Sequence, residues 1–248
     1  MLGKLFKYEL KAASRTFLPI YMALIVLSIA NRIFQGVNII FVTRLGAIIE
    51  GALFIALWVV TLFLIIQRFN KNLLKDEGYL MFTLPVKPRT LIISKLLSAV
   101  VWSIGSGIAA LLAIMILVFT GEDIIAVFEA IPEFFRALFT TKGVMTGCIE
   151  IFLLCVFSYM EFILSIYLSL SLSQLPKLIK HRGKVSFVMF IIINVIISIL
   201  FGYSVEALGL LQINESVAVG AITAEFALIA IILFTATNYI LSKHLNLE

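Results

Sequence analysis

Charge is what this chain has least of. Only 13% of its 248 residues are Asp, Glu, Lys or Arg, while 62% are hydrophobic. A soluble domain of that length could not cover its surface with so few charges, so lipid must be the solvent for most of it. Histidine is nearly missing as well. His181 and His244 both fall outside the long apolar runs. No HExxH is present, which excludes a zinc protease of that kind. Asp76 and Asp123 are the only aspartates and are expected in connections on opposite sides, so no intramembrane aspartyl pair is expected. GxxxxGK[ST] is absent, so the chain has no phosphate-binding loop of its own. Cys148 and Cys155 would stand about 10 Å apart along one helix, too far to bridge, and read as packing residues. Neither they nor the histidines show metal-ligand spacing. Gly105-Ser106-Gly107 sets a serine among glycines, yet no span holds a histidine to activate it. Ser103, Ser106, Gly107 and Ala110 instead make small-xxx-small spacings that let helices pack closely. No catalytic set emerges, and the chain reads as a non-enzyme. It also lacks a Ser/Gly-rich linker, so 1–248 reads as a single membrane domain.

What is present is length of apolar run. Mean hydropathy is +1.14. A spanning helix needs roughly 20 apolar residues, and six stretches qualify: Phe17–Phe34, Leu45–Ile66, Leu91–Phe119, Val144–Leu172, Phe187–Phe201 and Val217–Leu241. The runs lack the alternation of a membrane β-barrel, so the expected class is an all-α membrane protein with six transmembrane helices.

The basic residues orient it. Of the 19 Lys and Arg, only Arg32, Arg44, Arg136 and Lys142 fall in one set of connections, and the rest fall in the other. The richer set is expected to be cytoplasmic, with both termini inside. The net charge of +5 is this topology signal and implies no nucleic acid partner.

The start of the chain admits two readings. Ser28-Ile29-Ala30 resembles a signal-peptide cleavage site. However, Leu2, Leu5, Phe6, Leu10, Ala13 and Phe17 recur near helical spacing, with Lys4, Lys7, Lys11 and Arg15 elsewhere on the surface. The favoured expectation is an amphipathic helix over 1–16 lying on anionic lipid, with Pro19 bending the chain into the first span. Pro88 is expected in the first turn of the third long helix, where its missing N–H costs nothing. Segment 120–143 carries Ile124, Ile125, Phe128, Ile131, Phe135, Leu138 and Phe139 at helical spacing with Pro132 in the middle. That predicts two short interfacial helices on the outer surface. Gly202–Glu215 has too few apolar residues to cross, and Gly202 and Gly209 can end a helix; a re-entrant segment is one form open to it.

Four glutamates stand inside the spans: Glu50, Glu150, Glu161 and Glu225. A charge at the bilayer centre costs roughly 2.5–3.5 kcal/mol on insertion scales, so each should face protein or water. Glu150 and Glu161, 11 residues apart, fall on nearly the same helix face. One reading is an acidic substrate pathway that attracts cationic or amphipathic cargo. The plainer one is local satisfaction, by Arg32 or Arg44 for Glu50 and by Ser or Asn elsewhere. Composition does not choose between them.

The cytoplasmic loop 67–90 is the longest strongly charged stretch. Lys75-Asp76-Glu77-Gly78 makes a charged turn, and Tyr79-Leu80-Met81-Phe82 an apolar patch costly to leave wet. Thr83-Leu84-Pro85 closes it. A short helix docked on a soluble partner and a segment buried among inner headgroups both fit.

Asp76-Glu77-Gly78-Tyr79-Leu80-Met81-Phe82-Thr83-Leu84-Pro85, followed by Ser94-Lys95-Leu96-Leu97, resembles permease subunits of the ABC type-2 exporter superfamily. The likeness is strongest to small bacterial permeases of peptide-antibiotic export and immunity. They commonly carry D-E-x-x-x-x-x-T-L-P after the second span and a lysine early in the third. The whole-chain layout is similar too. The resemblance implies a coupling loop in which Asp76, Glu77, Gly78, Tyr79, Leu80, Phe82, Thr83, Leu84 and Pro85 meet an ATP-binding subunit. That subunit, present in two copies, would bind the ATP and Mg, so no cofactor is expected in this chain. The resemblance further implies a second permease subunit, identical or related, a bacterial cell membrane, and short outer re-entrant helices at Gly202–Glu215. Gln174–Lys184 is a second candidate docking segment. The alternative class is a stand-alone carrier driven by an ion gradient, for which only Glu161 and Asn194 offer midplane polar groups.

Overall fold

The computed structural model describes residues 2–36, 40–74, 86–119, 121–175, 181–212 and 214–243. Most of these residues are helical, the rest are turns and short connections, and among them there is no strand. Helix α1 spans Leu2–Gly36, α2 Ile40–Phe69, α3 Pro88–Val118, α4 Gly121–Thr140, α5 Val144–Leu172, α6 Arg182–Leu210 and α7 Glu215–Lys243. A π-helical turn, Asn70–Leu74, continues α2. All of these except α4 and the π turn are long and apolar enough to cross a membrane, giving 6 spans. This is a multi-pass membrane protein.

Three helices run through residues expected to interrupt them. α1 continues through Pro19, so the basic leader and the first span form one helix of 35 residues rather than a surface helix followed by a bend. At 1.5 Å per residue it is about 52 Å long, well beyond a hydrocarbon core of ~30 Å. α4 likewise continues through Pro132 as one helix of 20 residues instead of two. Proline removes one backbone bond, but the residues on either side of both prolines favour the helix strongly enough to bridge the gap. The third correction concerns Gly202 and Gly209. α6 continues past both to Leu210, and the chain then turns at Leu211–Gln212 into α7. Isolated glycines cost a helix only about 1 kcal/mol each, less than the backbone bonds saved in an apolar medium. Among the described residues there is no re-entrant pair of helices in that segment. Pro88 stands at the first position of α3, with Thr90 N–H donating to Lys87 O at 2.9 Å. Gly143, before α5, has φ 91°, a left-handed backbone that favours glycine.

The chain divides into two compact units. The first is Met1–Ile65 with Leu97–Ala137. Its core is Leu24 of α1, Leu57 of α2 and Ala113 of α3, with Ile20, Tyr21, Leu53, Phe54 and Ala110 against them. Phe17 stacks on Trp102 with ring centroids 4.8 Å apart and planes 7° apart. The Tyr21 hydroxyl donates to Trp102 O at 3.0 Å and meets Ser106 Oγ at 2.8 Å, while Ser106 meets Thr61 Oγ1 at 3.0 Å. These hydroxyls tie α1, α2 and α3 together where no water could serve them. Gly105 makes the close approach: a Cβ there would stand 3.3 Å from the Tyr21 oxygen, whereas one at Gly107 would meet nothing within 4 Å.

The second unit is Ile66–Leu96 with Leu138–Glu248. α5 is its centre. It packs most extensively on α7 and next on α6. Residues 163–171 of α5 are all buried, on every side of the helix. Its serines make this possible. Ser165, Ser169, Ser171 and Ser173 donate to Phe162, Ile166, Tyr167 and Leu170 carbonyls, so each hydroxyl is satisfied within its own helix. α6 is the opposite case: Ile197 is its one buried residue. Phe187, Ile191, Val195, Ile199 and Tyr203 are exposed, as a face bathed in acyl chains requires.

Candidate functional site

Of the sequence-predicted site residues, the four glutamates can be placed. Glu50 belongs to the first unit and is 2% exposed. Ser28 Oγ and Asn31 Nδ2 of α1 are its partners, the second at 2.9 Å from Oε2. The local reading holds here, with Ser and Asn rather than Arg32 or Arg44 supplying the contacts. Arg32 instead donates to Gln35 Oε1 at 3.2 Å and to Leu117 O at 3.3 Å. Gly46, one turn before Glu50, admits the Asn31 amide; a Cβ there would overlap that side chain.

The other three lie in the second unit. Glu150, near the start of α5, accepts from Ser216 Oγ of α7 at 2.6 Å. The start of α5 thus meets the start of α7, and the two helices pack extensively on each other. Glu161, three turns further along the same face, is 6% exposed, and its Oε1 has no hydrogen-bond partner. One turn on, Ser165 Oγ accepts from Asn194 Nδ2 of α6 at 3.3 Å. Glu225, on α7, lies within about 3 Å of the depth of Glu161 if both helices are counted from the Glu150–Ser216 bond. Glu225 is half-buried on α7. Glu150 and Glu161 therefore share one face of α5, Glu225 stands on α7, and Glu50 is held within the other unit.

The coupling-loop residues Asp76, Glu77, Gly78, Tyr79, Leu80, Phe82, Thr83, Leu84 and Pro85 lie outside the described residues, as do residues 176–180 of the second candidate segment, Gln174–Lys184. The shoulders of the loop are described, and both belong to the second unit. On the entering side, Phe69 is 0% exposed, Leu73 0% and Leu74 2%. On the leaving side, Leu91, Ile92, Ser94 and Lys95 are buried. Lys95, expected one turn inside the third helix, is thus a buried cation of α3. Phe69 stacks on Tyr167 of α5, centroids 4.0 Å apart and planes 11° apart.

Sequence reasoning missed this ring pair and the Tyr21–Ser106–Thr61 hydroxyls. Periodicity marks an aromatic as inward-facing but not which distant helix it will meet. Asn31 carried a signal that was available: an amide and a carboxyl, each in an apolar run, are obliged to find partners. No family model, no curated protein and no solved structure matches the chain.

Proposed function

We propose that this chain is the membrane-spanning subunit of an ATP-driven exporter in a bacterial cell membrane, moving a hydrophobic or amphipathic substrate such as a peptide, drug or lipid. The ATP would be hydrolysed by a separate soluble subunit, and two permease subunits, identical or related, would enclose the pathway above two such ATPases. What supports the reading is the loop between α2 and α3. Its sequence resembles the coupling loop of ABC type-2 permeases, and its shoulders are braced by buried apolar residues on both sides. A loop that receives work needs stiff attachments, since a slack one would absorb displacement locally. Glu150 and Glu161 offer an acidic face for cargo on the helix against which the loop's entering shoulder packs.

The test is whether a soluble protein with a phosphate-binding loop is encoded beside this chain and what the two do when co-expressed. A stable complex whose ATPase activity depends on an intact Glu77 and Leu80 is the expected result. Transport by the purified chain alone, driven by a proton or sodium gradient, would overturn it. That second reading draws on one observation, the buried Glu161 whose Oε1 has no partner.

A further inference from the structure

The π turn Asn70–Leu74 sits where α2 leaves its apolar run and the loop begins. π turns are rare, strain the helical ladder, and recur where a helix must re-aim its side chains for function. Here the turn places consecutive Leu73 and Leu74 both inward, at 0% and 2% exposure. The residue before it, Phe69, lies face to face on Tyr167, and both rings are almost completely buried. Tyr167 in turn stands in the stretch of α5 that is enclosed on every side. A close-packed ring pair inside a close-packed core has no room to slide, so it passes displacement on instead of absorbing it.

We propose that the Phe69–Tyr167 stack locks the π turn to α5 as a single lever, so that a push on the chain entering the loop moves α5 and carries Glu161 with it. Glu161 lies six residues before Tyr167, about 9 Å along the same hydrogen-bonded rod. Phe69 and Tyr167 act through the helix and are positioning residues. This rests on the exporter reading only for the origin of the push. It assigns the lever to α5.

The experiment uses the full chain in lipid nanodiscs, with Cys148→Ser leaving Cys155, exposed on α5, for one spin label, and Lys71→Cys on the π turn for the other. Pulsed electron–electron distances should form one narrow distribution in this background and in Tyr167→Phe, which keeps the ring. Tyr167→Ala and the milder Phe69→Leu should widen it at least twofold. A control pair, Cys155 with Leu228→Cys on α7, should stay narrow in every variant, which separates loss of the link from loss of the fold. A distribution already broad in the parent, or one unchanged in Phe69→Leu and Tyr167→Ala, overturns the lever. Adding the ATPase with Mg-ATP then tests the exporter reading separately. If the Lys71–Cys155 distance is narrow but neither label responds to nucleotide, the source of the push is wrong and the lever stands.

Discussion

Asn31 and Glu50 are joined across two helices by a 2.9 Å hydrogen bond from the amide Nδ2 to Oε2, in a site where the carboxyl is 2% exposed. Ser28 completes the site. Its Oγ contacts both Leu24 O and Glu50 Oε1, yet a hydroxyl has one proton to give. The three side chains are therefore one unit of packing between α1 and α2, in which Asn31 Oδ1 alone is buried without a hydrogen-bond partner.

Glu50→Gln keeps an acceptor for Asn31 and brings a donor for Ser28, so the loss of stability should stay below about 1 kcal/mol. Glu50→Ala leaves the Asn31 amide without its acceptor in an apolar site, while Ser28 keeps Leu24 O, and should cost about 1–3 kcal/mol for that unsatisfied group. Thermal unfolding in one detergent, followed by the fluorescence of Trp58 and Trp102, ranks the two variants. Equal losses would show that the contacts carry no weight.

Gly46→Ala should be nearly as harmful, although alanine is the better helix former by about 1 kcal/mol. The added Cβ would strike the Asn31 side chain and force α1 from α2 or Asn31 from Glu50. Gly51→Ala, where a Cβ would meet nothing within 4 Å, is the control and should be neutral or stabilising.

Tyr21→Phe deletes the hydroxyl that bonds Trp102 O and Ser106 while leaving the ring against Phe17 and Trp102. Polar contacts between membrane helices are worth about 0.6 kcal/mol on average and up to ~1.7. A fall of that order in unfolding free energy is expected, and a Tyr21→Phe/Ser106→Ala cycle should show coupling between the two.

Glu161→Leu removes a buried oxygen that has no partner. Membrane insertion and thermal stability should hold or rise, by up to roughly 2.5–3.5 kcal/mol at the bilayer centre. If Glu161 contacts cargo, export should fall in the same variant. Full export from Glu161→Leu and Glu150→Gln together would remove the acidic pathway.

Leu80→Asp should break coupling without disturbing the membrane helices, since it changes a loop residue and no span. The readout is ATPase activity of the partnered complex with and without transport, beside the yield of chain in membranes. Coupled turnover unchanged in both Leu80→Asp and Glu77→Ala would leave docking to another segment.

Where a helix exists was written locally. Apolar runs longer than a bilayer requires, Pro88 at the start of α3 and scarce charge sufficed for six spans, because the solvent alone forces every backbone bond inward. Where a helix stops was misread at Pro19, Pro132, Gly202 and Gly209. Those residues break helices in water, but here each unmade backbone bond is dearer than the residue's own reluctance. The composition of this chain thus determined its class, its helices and its distribution of charge, all of which follow from the free energy of moving each residue between water and lipid. Only tertiary structure decided that Glu50 meets Asn31, that Glu150 meets Ser216, and that Phe69 finds Tyr167. Such pairings depend on how helices distant in sequence are rotated and set against each other, and a helical period leaves that undetermined.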